Sequence, residues 1–212
     1  MRYLICILFF ACILSSATAQ TRVVAECTVS YTITVSNESQ VDKDAVALLK
    51  QSTKTVYIKG NNSRSDLNSP SFSQSLIYNK TTGNAVILRE IGANKFLTKL
   101  SASDWVKQND KFTDMLIQFT DERKVILGYD CKRATIQLKD GSTFSVFYAT
   151  SITPSVKEFE FQFKDIPGFV LEYEAKDGYT QKITYTANKI SLNPVPASRF
   201  EIPVTGYRLL SE

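Results

Sequence analysis

The chain has 212 residues, with 25 Lys and Arg, 21 Asp and Glu, and no histidine. Both charge signs are scattered along it, so no basic stripe or recognition motif marks a nucleic-acid partner. The missing imidazole excludes Ser-His and Cys-His nucleophilic sites and histidine-ligated metals. S-x-x-K, P-loop, G-x-G-x-x-G and EF-hand patterns are also absent, so no catalytic residue, metal or cofactor is expected.

At the start of the chain, Arg2, the apolar run Leu4 to Leu14 and Ala17-Thr18-Ala19 before Gln20 have the layout of a secretory signal peptide over 1–19. The apolar run is shorter than the ~20 residues that cross a bilayer. Charged or polar residues interrupt every later apolar stretch, so the expected product is exported, periplasmic or extracellular, without a transmembrane segment after cleavage. Residues 20–212 then make one β-rich domain. Cys6 and Cys12 leave with the signal, and Cys27 and Cys131 remain as an even pair in an exported protein. A disulfide between them would close a loop of roughly 100 residues and contribute about 4.7 kcal/mol. The alternative is two buried thiols packed as small apolar groups.

The clearest strand follows, where Val29, Tyr31, Ile33 and Val35 alternate with Thr28, Ser30, Thr32 and Thr34. A short amphipathic helix is predicted over Asp42 to Gln51. Further β-like runs rich in Val, Ile, Thr, Tyr and Phe occupy 54–59, 72–79, 84–91 and 95–100. Ser101-Ala102-Ser103-Asp104 resembles a capping box and opens a second helix to Asn109, with Trp105 and Val106 able to cover a sheet. More runs lie at 114–120, 124–138 and 142–150, and the alternation of Phe159, Phe161 and Phe163 with Glu160 and Gln162 reads as another strand. The last two runs are 168–175 and 179–190. Thr82-Gly83, Gly92-Ala93-Asn94, Asp140-Gly141 and Asp177-Gly178 supply hairpin turns between them. Such short links make the pairings mostly antiparallel, in a β-dominated α+β fold.

Two carboxylate pairs, Glu158 with Glu160 and Glu172 with Glu174, are spaced two apart on predicted strands, roughly 7 Å from each other. That separation would allow an inverting glycosidase, so a carboxylate-based hydrolase is the exception to a non-enzymatic reading. Antiparallel sheets with one solvated face carry such pairs routinely, which favours the structural reading. The aromatic residues are more suggestive, because together they give the sheet a large apolar face. That face either packs a core or, if the sheet curves around a cavity, binds a hydrophobic ligand. Asn37-Glu38-Ser39, Asn61-Asn62-Ser63 and Asn79-Lys80-Thr81 match glycosylation acceptors.

Thr120-Asp121-Glu122-Arg123-Lys124-Val125-Ile126-Leu127-Gly128-Tyr129-Asp130-Cys131 with Ala134 resembles a block of secreted Bacteroidetes proteins related to the GLPGLI family. Phe163-Lys164-Asp165-Ile166-Pro167-Gly168-Phe169-Val170-Leu171-Glu172 stands where that family carries its name motif, with Asp165 in place of the first glycine. The ending, Pro194 to Pro203 with Gly206-Tyr207-Arg208, resembles the closing strand of families similar to the LolA and LppX lipoprotein carriers. The resemblance implies a curved antiparallel half-barrel with short helices over its open side. It implies structural roles for Gly128 and Gly168, as points of close backbone approach, and for Pro167 as a bend.

The function expected on this reading is non-enzymatic binding of a lipid, a lipoprotein acyl chain or another hydrophobic ligand in the concavity. Tyr31, Ile33, Trp105, Phe144, Val146, Phe159, Phe161 and Phe163 are its candidate lining. The rival is a structural or protein-interaction module of the cell envelope, engaging a partner protein through an exposed sheet edge or the hydroxyl-rich face.

Overall fold

The computed structural model describes residues 21–36, 43–176 and 182–210. The segment 1–19 expected as a signal peptide, Asp42, the Asn37-Glu38-Ser39 triplet and the expected turn at Asp177-Gly178 lie outside the described residues. The strands are β1 (Arg22–Val24), β2 (Glu26–Val35), β3 (Thr53–Lys59), β4 (Asn62–Ser69), β5 (Phe72–Asn79), β6 (Ala85–Ile91) and β7 (Asn94–Leu100), followed by β8 (Leu116–Ile126), β9 (Tyr129–Gln137), β10 (Thr143–Ala149), β11 (Ile152–Pro154), β12 (Phe169–Lys176), β13 (Lys182–Ser191) and β14 (Arg208–Leu210). Helix α1 spans Lys43–Gln51 and α2 spans Ala102–Gln108.

Twelve strands form one curved, open sheet in the order β14-β7-β6-β5-β4-β3-β2-β13-β12-β10-β9-β8. Every neighbouring pair is antiparallel apart from β14 on β7. The seam between its two arms is the β2–β13 ladder, which pairs Ile183 with Val35 and Ser191 with Thr28. Strands β1 and β11 make a separate parallel pair. The chain leaves β7 near one rim and enters β8 at the other, so α2 and the residues after it cross the open side of the sheet. Ser101 caps α2 as expected: its hydroxyl accepts the Asp104 N–H while the Asp104 carboxylate accepts the Ser101 N–H.

The concave face carries the alternating apolar residues, including Val29, Tyr31 and Ile33 of β2, Val56 and Ile58 of β3, and Phe144, Val146 and Tyr148 of β10. What covers it is the chain itself. Residues 158–164, expected as a strand, instead form two short 3-10 turns, Lys157–Phe159 and Phe161–Phe163, joined at an extended Glu160. They act as a plug: Val156, Phe159, Phe163 and Ile166 are each at most 1% exposed. The period-2 pattern is real as a burial pattern, because the phenylalanines point into the core while Glu160 and Gln162 stay half-buried. The backbone simply achieves it with turns.

The opposite, convex face is strapped by the C-terminal segment over β2 to β7. Val195 donates its N–H to Glu26 at 2.6 Å, Arg64 donates to the Arg199 carbonyl at 2.9 Å, and the Tyr207 hydroxyl donates to Glu90. Beneath the strap Ile77, Val86, Leu88 and Leu97 form a second small core with Tyr207. Asn61 and Asn79 shape the turns beside this face, their amides donating to Thr81 at 2.9 Å and Asn62 at 2.8 Å.

Two expectations are corrected. Cys27 and Cys131 are free and buried. Three strands separate β2 from β9, a path of about 19 Å along the sheet at ordinary strand spacing, whereas a disulfide needs Cα atoms within about 7 Å. Burial pushes the Cys27 thiol up to about 12 and the Cys131 thiol up to about 11. Native protein should therefore resist iodoacetamide at neutral pH and, unfolded without reductant, gain two alkyl groups on these residues. An unfolded mass with neither group would reveal a bond. Gly128 is also not a point of close approach; with Leu127 at φ 51° and Gly128 at φ 81° it makes the two-residue hairpin turn between β8 and β9.

Candidate functional site

Five parts of the molecule leave space between them at the end of the half-barrel where β5 begins and β6 ends. The result is a cleft of about 700 Å³. One wall is β5 and β6, with Leu76 and Ile87 followed toward the mouth by Gln74 and Arg89. The other wall is the β9–β10 hairpin, with Leu138 and Phe144 followed by Thr143, Ser142 and Asp140. The crossover supplies Trp105, Gln108, Asn109, Lys111 and Phe112, the plug supplies Glu160 and Gln162, and β12 supplies Glu174 and Ala175. Phe112 meets Phe144 edge-on with ring centres 6.5 Å apart, linking the crossover to the far arm. Trp105 packs on Tyr78 at 6.1 Å and Phe161 at 6.0 Å.

Register explains the grading of these walls. Gln74 is the direct partner of Arg89, and Leu76 of Ile87, so two adjacent strands change from apolar to polar at the same level. Across the cleft Phe144 is preceded two residues earlier by Ser142, which lies in the turn that opens β10. The site is therefore amphipathic, with an apolar part around Leu76, Ile87, Trp105 and Phe144, a polar part around Gln74, Arg89 and Ser142, and the carboxylates of Glu160 and Glu174 in its lining.

The carboxylates of the lining are occupied. Glu160 accepts hydrogen bonds from the Lys54 ammonium and, at 3.0 Å, from the Ser65 hydroxyl. Lys54 lies over the stacked rings of Tyr173 and Tyr185, whose centres are 4.7 Å apart. The ring contacts and the carboxylate compensate the lysine for burial among aromatic residues. Burial, and after it the nearby Glu160 charge, hold the Tyr173 hydroxyl well above its ordinary range. Where the β10–β12 ladder ends, Glu174 accepts the Ser145 N–H at 3.1 Å and pairs with Lys182. Glu158 lies in a 3-10 turn, not on a strand, so the expected Glu158/Glu160 strand pair does not exist. Glu172 and Glu174 do share β12, with Glu172 held by Lys124 at 2.7 Å and Thr186 at 2.7 Å.

All eight residues expected to line a ligand cavity belong to one apolar cluster. Only Trp105 and Phe144 among them reach the cleft. Tyr31, Ile33 and Val146 lie on the concave sheet but are covered, and Phe159, Phe161 and Phe163 are the covering plug. Arg89, Gln74, Asp140 and Gln162 escaped the sequence reading, because their meeting depends on strand register and on the plug. Among the described residues no group of acidic or cysteine side chains is placed to hold a metal ion, and no helix is long and apolar enough to cross a membrane.

No protein-family model matches the chain, and no curated protein matches it. The GLPGLI resemblance thus rests on its motif residues alone. Among solved structures, PNGF-II is 13% identical with a TM-score of 0.48, over 86% of this chain. The chain spans only 30% of the length of that protein. A LolA superfamily protein from Nitrosomonas europaea is 12% identical with a TM-score of 0.36, covering 84% of this chain and 91% of that one.

Proposed function

We propose that the protein is a non-enzymatic binding protein, exported to the periplasm or beyond, that holds the acyl chain of a lipid or lipoprotein in the end cleft. The observation that carries this reading is the graded wall, with Leu76, Ile87, Trp105, Phe112 and Phe144 inside and Gln74, Arg89, Ser142 and Thr143 toward the mouth. The volume of about 700 Å³ falls within the usual range for small-molecule sites. Each methylene buried there contributes about 0.8 kcal/mol, so a partly enclosed tail suffices for useful affinity. The hydrophobic part of the site is smaller than the whole concavity, since the plug fills most of the sheet.

The engaged state of Glu160 and Glu174 supports binding over hydrolysis, because an ion-paired carboxylate is poorly placed to serve as a general acid. The rival reading, a partner protein on the free edge of β8, draws on exposed Leu116, Phe119 and Val125. Against it, the ladder to β9 breaks between Phe119 and Arg123, and Asp121 to Lys124 are all charged. Bulges and charges of this kind protect a sheet edge from pairing.

Native mass spectrometry with added dodecyl-chain amphiphiles tests the proposal. One amphiphile per protein is expected, and Ala175→Phe, which fills the cleft, should abolish the adduct while the melting temperature stays within a few degrees. No adduct, or one equally abundant in the variant, overturns it.

A further inference from the structure

We infer that Arg89 makes the mouth of the cleft a subsite for an anionic head group, a carboxylate or phosphate at the end of an apolar tail. The inference rests on the binding reading above and specifies its ligand. Among the described residues five charged side chains line the cleft: Arg89, Lys111, Asp140, Glu160 and Glu174. The two glutamates are neutralised by lysines from outside the lining, Lys54 and Lys182. Asp140 accepts the Ser142 N–H at 2.8 Å within its own turn. Lys111 is exposed and rests on the Phe112 ring at 4.8 Å. Arg89, half-buried, has no carboxylate partner among the described residues.

What Arg89 does have is an orienting contact. Its Nε donates to Gln74 Oε1 at 2.9 Å across the β5–β6 ladder. That bond fixes the guanidinium plane and leaves the Nη1 and Nη2 groups for another acceptor. A planar fork held this way matches the two oxygens of a carboxylate or phosphate, and less of its freedom is lost on binding. Ile87 precedes Arg89 on the same face by about 7 Å, two residues along a strand. A head group on Arg89 therefore sends its tail along Ile87 and Leu76 toward Trp105 and Phe144.

The chain has one tryptophan, and Trp105 on the cleft wall makes its emission a direct reporter. Wild type, Arg89→Gln and Arg89→Lys would be titrated with dodecanoate, with monododecanoylglycerol of the same chain length but no charge, and with acetate, which has the head and no tail. Wild type should bind dodecanoate about 10-fold or more tightly than the neutral ester, the scale of one charge-assisted pair. Added salt should erode that preference. Arg89→Gln should bring the two ligands level by weakening dodecanoate alone, and Arg89→Lys should keep part of the difference. Acetate should bind far more weakly than dodecanoate. Saturable binding of both amphiphiles with equal affinity by wild type overturns the head-group subsite and leaves the cleft reading standing. An Arg89→Gln variant that weakens both alike, or acetate binding as tightly as dodecanoate, also overturns the subsite. Failure of wild type to bind either amphiphile removes the cleft reading itself.

Discussion

Phe163→Ala is expected to lower the free energy of unfolding by about 3–5 kcal/mol, the cost of emptying a fully buried aromatic position. Phe163 is 1% exposed, with its ring centre 5.3 Å from that of Phe159 and 5.0 Å from that of Tyr173. Its loss would leave a hole beneath Tyr173, whose hydroxyl has no hydrogen-bond partner among the described residues. The neighbouring Gln162 lines the cleft and is half-buried, so Gln162→Ala should change stability by less than about 0.5 kcal/mol. Urea unfolding of both variants measures the contrast. If Phe163 instead faced a ligand cavity, its truncation would reduce binding and leave the urea midpoint nearly unmoved, and that result would reject the plug.

Gly168→Ala should cost about 3 kcal/mol for a different reason, overpacking against backbone that cannot withdraw. A Cβ at this position would stand 1.9 Å from the Ala149 carbonyl oxygen and 2.8 Å from the Tyr148 ring. Ala149 is held opposite Phe169 in the β10–β12 ladder, just beyond an irregularity between Phe147 and Tyr148. The clash therefore falls where Pro167 and Gly168 deliver the plug into β12. At roughly 2–4 °C per kcal/mol for a domain of this size, the melting temperature should fall by about 6–12 °C. Gly128→Ala is the control, since its Cβ would meet open space and pay only for a positive φ, about 1 kcal/mol. Equal losses at the two glycines would refute the close approach at Gly168.

Much of this architecture was legible wherever side chains alternate between core and solvent. The run 72–79 coincides with β5, and the Ser101 capping box opens α2 where expected. Strand β4 was invisible because Asn62 to Ser69 has a single large apolar residue, Leu67; its inward positions are Ser63 and Ser65, and Ser65 is satisfied by Glu160. The runs 114–120 and 124–138 leave a gap over 121–123, yet β8 continues through it to the Leu127-Gly128 hairpin. The plug was misread because alternation specifies which side chains are buried and leaves the backbone path open. For the site, aromatic content pointed to Trp105 and Phe144. Arg89 needed the β5–β6 register, although the matched change from Leu76 to Gln74 and from Ile87 to Arg89 was a signal available in the letters.

The seam of the half-barrel also governs when the molecule can become whole. Thr34 bonds to Thr184 across β2 and β13, partners 150 residues apart, while most other ladders join strands adjacent along the chain. The early hairpins can assemble as the polypeptide emerges, but β2 must wait with one flank unsatisfied until nearly the entire sequence is present. Closing so large a loop is entropically slow. The spine that holds the two arms together is thus the part of the sheet whose contacts span the longest stretch of chain, and it can seal only once both arms exist.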